Sequence, residues 1–172
     1  MYLDTSVFGG CFDEGFEAPS RAVIEYLAQG NGIVVISDFL QDELSRMPDN
    51  IRTLLTGIPA RFQERVRAQD DSIELRDAYI AAGMQGERFG NEIHHAAIAS
   101  LAKVDGLITW RFREVFKLEG SRRINEVNLA HGLPHLEIQT PYAVGDWGER
   151  HTCYGTALKN EVQRKLREES PE

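Results

Sequence analysis

A three-layer α/β sandwich with a mostly parallel sheet is the fold class this sequence predicts, and three observations predict it. Short apolar runs alternate with longer amphipathic stretches along the chain. The runs, such as "GIVVIS", are continuous and β-branched, as strands buried on both faces are. At 172 residues, 42% of them apolar, the chain can bury its own core without disulfides or a structural metal.

Each element has a local reason. Tyr2 and Leu3 read as a short buried strand with Asp4 at its carboxyl end. "EAPSRAVIEYLAQGNG" reads as a helix, with Pro19 near its start, Val23, Tyr26 and Leu27 on one face, and Gly30 and Gly32 stopping it. "GIVVIS" is the next strand. Ser37 then caps "DFLQDELSRM", a helix that Pro48 ends. Two more helical stretches are expected at Asn50–Thr56 and Pro59–Ala68, followed by a strand at "DSIEL" and a helix at "RDAYIAAGM". Asn91 is the expected cap of "EIHHAAIASLAKV", whose alanines suit close packing on a sheet. "GLIT" is a strand, "SRRINEVNLAHG" a helix ended by Gly132, and "LEIQ" a last strand before Pro141. The final segment, "DWGERHTCYGTALKNEVQRKLREESPE", reads as an irregular stretch and a charged helix apart from the alternating core.

Charge and composition narrow the function. A net charge of −8 argues against a general nucleic-acid coat protein, although metal-binding acids contribute to such a charge themselves. Basic residues gather in "ARFQERVRAQ" and "TWRFREVFKLEGSRR", most simply as solvated helix faces. Cys11 and Cys153 are far apart and read as free thiols. No apolar run approaches about 18 residues, so no membrane span is expected. The opening lacks the pattern of an export signal, so the expected location is cytoplasmic.

Three acids stand at places where an open α/β sheet builds sites. Asp4 ends the first strand, where an acid serves either a site or the cap of the next turn. Glu43 follows Phe39 by four residues and Leu40 by three, on the rim of the buried face of its helix. Taken alone it also reads as a surface glutamate whose stem covers apolar surface. Glu92 opens the alanine-rich helix, where an acid also suits the helix dipole. His95 follows on the same side. Carboxylates brought together repel and raise one another's pKa unless a cation intervenes. Oxygen-only ligation selects magnesium or manganese over zinc, and water activation against a phosphodiester is the chemistry that follows.

The ordered set "YLDTSVFGG", "DFLQDELSRMP", "NEIHHAAIASLAKVDGLITWRF", "RINEVNLAHG" and "LEIQTPYAVG" resembles the PIN-domain family. It is most similar to the bacterial branch that includes toxin subunits of VapBC-type toxin–antitoxin pairs. The resemblance implies a Rossmann-like α/β/α sandwich over residues 1–145, metal-dependent ribonuclease activity, and frequent dimerisation. It places the family's acids on Asp4, Glu43 and Glu92, which would hold Mg2+ or Mn2+ and serve catalysis. His95 falls at the family's histidine position. Thr5, Ser6 and Thr109 become hydrogen-bonding residues around the ion and substrate.

One position departs from the family pattern. Arg111 stands where an acid or asparagine is usual, two residues after Thr109, and Asp105 precedes its strand at the sheet's opposite end. Arg111 is expected either to pair with Glu43 or Glu92 or to meet substrate phosphate. The leading expectation is therefore a toxin-type endoribonuclease acting on RNA, a homodimer with a possible antitoxin partner. The alternative is a PIN-like binding or regulatory module that has lost catalysis. A haloacid-dehalogenase phosphatase would need an acid at Ser6, and a receiver domain a late strand-end lysine that "GLIT" and "LEIQ" lack. The 146–172 extension, with Ala157, Leu158, Val162 and Leu166 as its helix stripe, resembles antitoxin carboxyl-terminal peptides. It is read either as an ordinary terminal helix or as an inhibitor of its own domain.

Overall fold

In the computed structural model, which describes residues 1–144, five strands form one all-parallel sheet. They are β1 (Tyr2–Leu3), β2 (Val34–Ser37), β3 (Gln63–Val66), β4 (Gly106–Ile108) and β5 (Glu137–Gln139). Helices α1 (Thr5–Gly10), α2 (Glu17–Ala28), α3 (Asp38–Ser45), α4 (Asp49–Arg52), α5 (Asp70–Ala81), α6 (Gly86–Leu101) and α7 (Lys117–Ala130) lie between them. The spatial order β3-β2-β1-β4-β5 makes this a Rossmann-like α/β/α sandwich. The chain lays strands outward from β1 in one direction, then returns to lay β4 and β5 in the other. The direction reverses between β1 and β4, where Tyr2 pairs with Leu107 and Leu3 with Ile108.

The three inner strands are apolar because both of their faces are covered. Tyr2, Leu3, Val34, Ile36, Leu107 and Ile108 are all fully buried. Ser37 ends β2 and caps α3, its Oγ accepting the Leu40 N–H at 3.0 Å. In α6, Ala96, Ala97 and Ala99 are fully buried, so small side chains let this helix approach its neighbours β4 and α5 closely. Gly132 follows α7 at φ +69°, a left-handed position that glycine fills without strain.

Three local expectations are corrected. Residues 59–68 are not a helix: a short 3-10 turn, Ala60–Phe62, leads into β3. The alternating charges of "QERVR" suit a solvated helix. They equally suit an edge strand with exposed side chains, and backbone pairing of Gln63–Val66 with Val34–Ser37 decides for the strand. "DSIEL" is the first half of α5, not a strand. Asp70 and Asp71 occupy its first turn, and Ser72, Leu75 and Tyr79 are its buried face at helical spacing. Asn91 is not a cap either, because α6 begins at Gly86 and kinks at Phe89 (φ −129°, ψ 31°), leaving Asn91 within the helix. Among the described residues no helix is long and apolar enough to cross a membrane. The 146–172 extension and its expected helix lie outside the described residues.

Candidate functional site

Ligands of open α/β sheets bind beyond the carboxyl ends of the strands, where the strand order reverses. Asp4 stands at that point. It is 2% exposed and caps α1, its Oδ1 accepting the Ser6 N–H at 3.0 Å and the Ser6 hydroxyl at 2.5 Å. Its Oδ2 accepts the Thr109 hydroxyl, at 2.5 Å, from the end of β4. One carboxylate thus ties the two strands on either side of the reversal. Burial pushes the Asp4 carboxyl above the usual range, outweighing nearby His95 and the bonds from Ser6 and Thr109. Thr109 is fully buried behind Asp4 and positions it from within. Ser6 Oγ also accepts the Trp110 N–H at 3.0 Å, which fixes the turn after β4. Asp105, by contrast, lies at the other end of the sheet, where its charge acts on the Met1 amino group.

Glu43 is held from three sides. Its Oε2 lies 2.8 Å from His95 Nε2 and accepts the Thr5 hydroxyl at 3.2 Å. Its Oε1 accepts the Asn91 amide at 2.9 Å. Burial raises the Glu43 carboxyl, but the bonds from His95, Thr5 and Asn91 outweigh it and hold the group below its ordinary range. Behind His95, Nδ1 is 2.8 Å from the Tyr2 hydroxyl, itself 2.7 Å from Ser37 Oγ. One assignment satisfies the whole row: Ser37 donates to Tyr2, Tyr2 to Nδ1, and Nε2–H to Glu43.

Glu92 is approached by Arg111, whose Nε lies 3.8 Å from Oε1. The same guanidinium donates from Nη1 to Glu114 Oε2 at 2.8 Å, the closer of the two acids. Arg111 therefore pairs with Glu92, as one of the sequence readings had it, and also with Glu114. Asp42, on the far side of α3, pairs with Arg46 at the surface.

Asp4, Thr5, Ser6, Glu43, Glu92, His95 and Arg111 all line one cavity of about 750 Å³. Among the described residues, no three acid, histidine or cysteine side chains stand together at metal-holding distance. The donor chemistry nonetheless suits a hard divalent cation. Asp4, Glu43 and Glu92 are among six acidic residues that line the cavity, and burial disfavours the charged form of Asp4. No protein-family model and no curated protein matches this chain.

Asp4, Glu43, Glu92 and His95, which the sequence singles out, line the cavity; Asp13, Glu87 and Glu114, which it does not, line it as well. Tyr2 was read only as strand, although residues two apart on a strand share a face, and Asp4 follows it by two. Asn91 reads as a cap from the sequence, whereas in the fold its amide holds Glu43. Glu114 and Trp110 carried no signal of their own, because only the turn after β4 brings them to the cavity.

Proposed function

We propose that this protein is a metal-dependent endoribonuclease of the toxin type, hydrolysing RNA phosphodiesters with Mg2+ or Mn2+ held by Asp4, Glu43 and Glu92. The observation that carries the reading is the buried Asp4 at the β1–β4 reversal, facing one cavity with Glu43 and Glu92. Its likeness to the PIN-domain pattern, in order along residues 1–145, supports it further. A bound ion would polarise a phosphoryl oxygen and make its water a better nucleophile.

The chain's own residues supply position and charge. Ser6 and Thr109 fix the two Asp4 oxygens in place. His95, Thr5 and Asn91 keep Glu43 ionised and aimed. Arg111 reaches the cavity rim, where it is placed to meet a phosphate. Homodimerisation and a separate antitoxin partner belong to the same proposal, on the resemblance alone.

The test is cleavage of a labelled single-stranded RNA with Mg2+ or Mn2+, by the wild-type protein and by Asp4→Asn. Metal-dependent cleavage lost in the variant is the expected result. Equal cleavage by both proteins would overturn the assignment. One observation favours the second reading, a binding module without catalysis: the Arg111 guanidinium stands beside Glu92, where it offers a positive charge in place of a cation. That reading predicts RNA binding without cleavage and no calorimetric signal from either metal.

A further inference from the structure

Beside the carboxylates stands a group of aromatic rings that the proposed chemistry does not use. Trp110 packs edge-to-face with Phe16, centroids 4.8 Å apart, and with Tyr142 at 5.3 Å. Phe16 is 46% exposed and Tyr142 67%. Phe16 and Trp110 line the same cavity as Asp4. Trp110, at the centre of the group, is held by two bonds: it donates its backbone N–H to Ser6 Oγ and its indole N–H to Ser20 Oγ at 2.8 Å. Edge-to-face packing also matters: in each pair, the ring that offers its edge keeps both faces clear of its partner.

The charge around the cavity decides what those rings are for. Among the described residues Asp4, Asp13, Glu43, Glu87, Glu92 and Glu114 line it, with Arg88 and Arg111 as the cationic ones. So acidic a lining offers phosphates few partners beside Arg88, Arg111 and a bound ion. Contacts to the bases then supply more of the affinity for a nucleic-acid strand.

We infer that Phe16, Trp110 and Tyr142 form a stacking platform for the bases of a single-stranded RNA whose phosphodiester lies at Asp4. The inference rests on the ribonuclease reading and adds how the strand is held: by stacking of its bases on these three rings, tolerant of sequence. Every base has a π-face, so the platform discriminates paired from unpaired strands better than one base from another. Trp110 joins the two functions physically, since Ser6 bonds both its backbone and Asp4.

The test uses the full chain and a fluorescent 2′-O-methyl RNA hexamer, which resists cleavage, beside the same backbone made abasic at its central positions. The base-bearing strand is expected to bind more tightly than the abasic one. Phe16→Ala and Tyr142→Ala should each weaken it roughly five- to a hundredfold, leaving the abasic strand unaffected. Phe16→Trp should restore binding. The salt dependence should be shallow, with a log–log slope near about −1.4 for two phosphate contacts. In a Trp147→Phe background, Trp110 emission should be quenched by the base-bearing strand alone.

Equal binding of the two strands, equal weakening of both by the variants, or no binding at all would each overturn the platform. So would a change of sedimentation in Phe16→Ala with oligonucleotide affinity unchanged, which would assign the patch to a second copy of the chain. Metal-dependent cleavage without base-dependent binding removes the platform and leaves the nuclease reading intact. Base-dependent binding without cleavage does the reverse.

Discussion

His95 Nε2 lies 2.8 Å from Glu43 Oε2, and the opposite ring nitrogen lies 2.8 Å from the Tyr2 hydroxyl. A histidine from α6 is thus clamped between the first strand and the helix that carries the acid. His95→Ala leaves both the buried Tyr2 hydroxyl and Glu43 short of a partner, which costs about 1–3 kcal/mol in folding stability. Tyr2→Phe should cost less, because His95 keeps its bond to Glu43. If His95 positions Glu43, the Tyr2→Phe variant should lower kcat for RNA cleavage more than it raises KM. An unchanged kcat would make the row purely structural.

Arg111 bridges Glu92 and Glu114 at the cavity rim. Its guanidinium competes with any cation for the Glu92 oxygens. Arg111→Asn is expected to tighten Mn2+ binding, measured by titration calorimetry, by about tenfold, the equivalent of 1.4 kcal/mol. RNA cleavage should rise with it. Unchanged Mn2+ affinity would refute the competition and leave Arg111 as a contact for substrate or for the surface.

Asp4→Asn separates chemistry from folding. Asparagine caps a helix as well as aspartate does, and its amide can donate to Thr109 Oγ1. The buried charge of Asp4 raises its folded-state pKa, so the native state holds its proton more tightly and this group weakens folding as pH rises. In chelator, Asp4→Asn should therefore melt no lower than wild type at pH 7. Any advantage should fade in acid, below the ordinary carboxylate pKa of about 3.9. Melting curves from about pH 3 to 8 check this, and a neutral-pH Tm several degrees below wild type would contradict it.

Tyr79 predicts the alkaline limit of the fold. It is fully buried, bonded to Ser100 and Asn128, and its phenol is pushed up to about 12 by burial. An unfolded tyrosine ionises near pH 10, so from there the unfolded state sheds the proton first and stability falls until the folded phenol ionises as well. Between pH 10 and 12 this one group removes about 2–3 kcal/mol. Tyr79→Phe should start less stable at pH 7, by about 1 kcal/mol for the lost hydrogen bond, and should decline less steeply above pH 10. Parallel slopes in denaturant titrations would show that Tyr79 does not govern the loss.

Gly10 tests how firmly Trp110 is mounted. A Cβ there would come within 2.6 Å of both Ser20 Oγ and Trp110 Nε1. Gly10→Ala should break that bond and destabilise the fold by about 1–3 kcal/mol. Trp110 emission should shift to the red as the indole moves toward water. A melting temperature equal to wild type would show that the indole swings aside freely.

The apolar runs and glycine stops of the sequence were enough to determine the sheet's inner strands and most of its helices, because short β-branched runs bounded by turn residues suit strands buried on both faces better than helices. "VVIS" and "GLI" are buried strands as the sequence reads them, and Asp4 beside them was legible as a strand-end acid. The pairing of "QERV" with β2 was not legible, since an edge strand and a solvated helix both leave charged side chains in water. Nor was the helical start at Asp70, because the buried face of α5 becomes evident only when Leu75 and Tyr79 meet α6 and α7. The site divides in the same way. Candidate acids were visible one by one, each with an ordinary alternative as a cap or a surface residue. Their meeting in one cavity depended on the β3-β2-β1-β4-β5 order, which brings residues 4, 43, 92 and 111 together. Local sequence carries burial and propensity, whereas strand order is a choice among long-range contacts that only the folded chain makes.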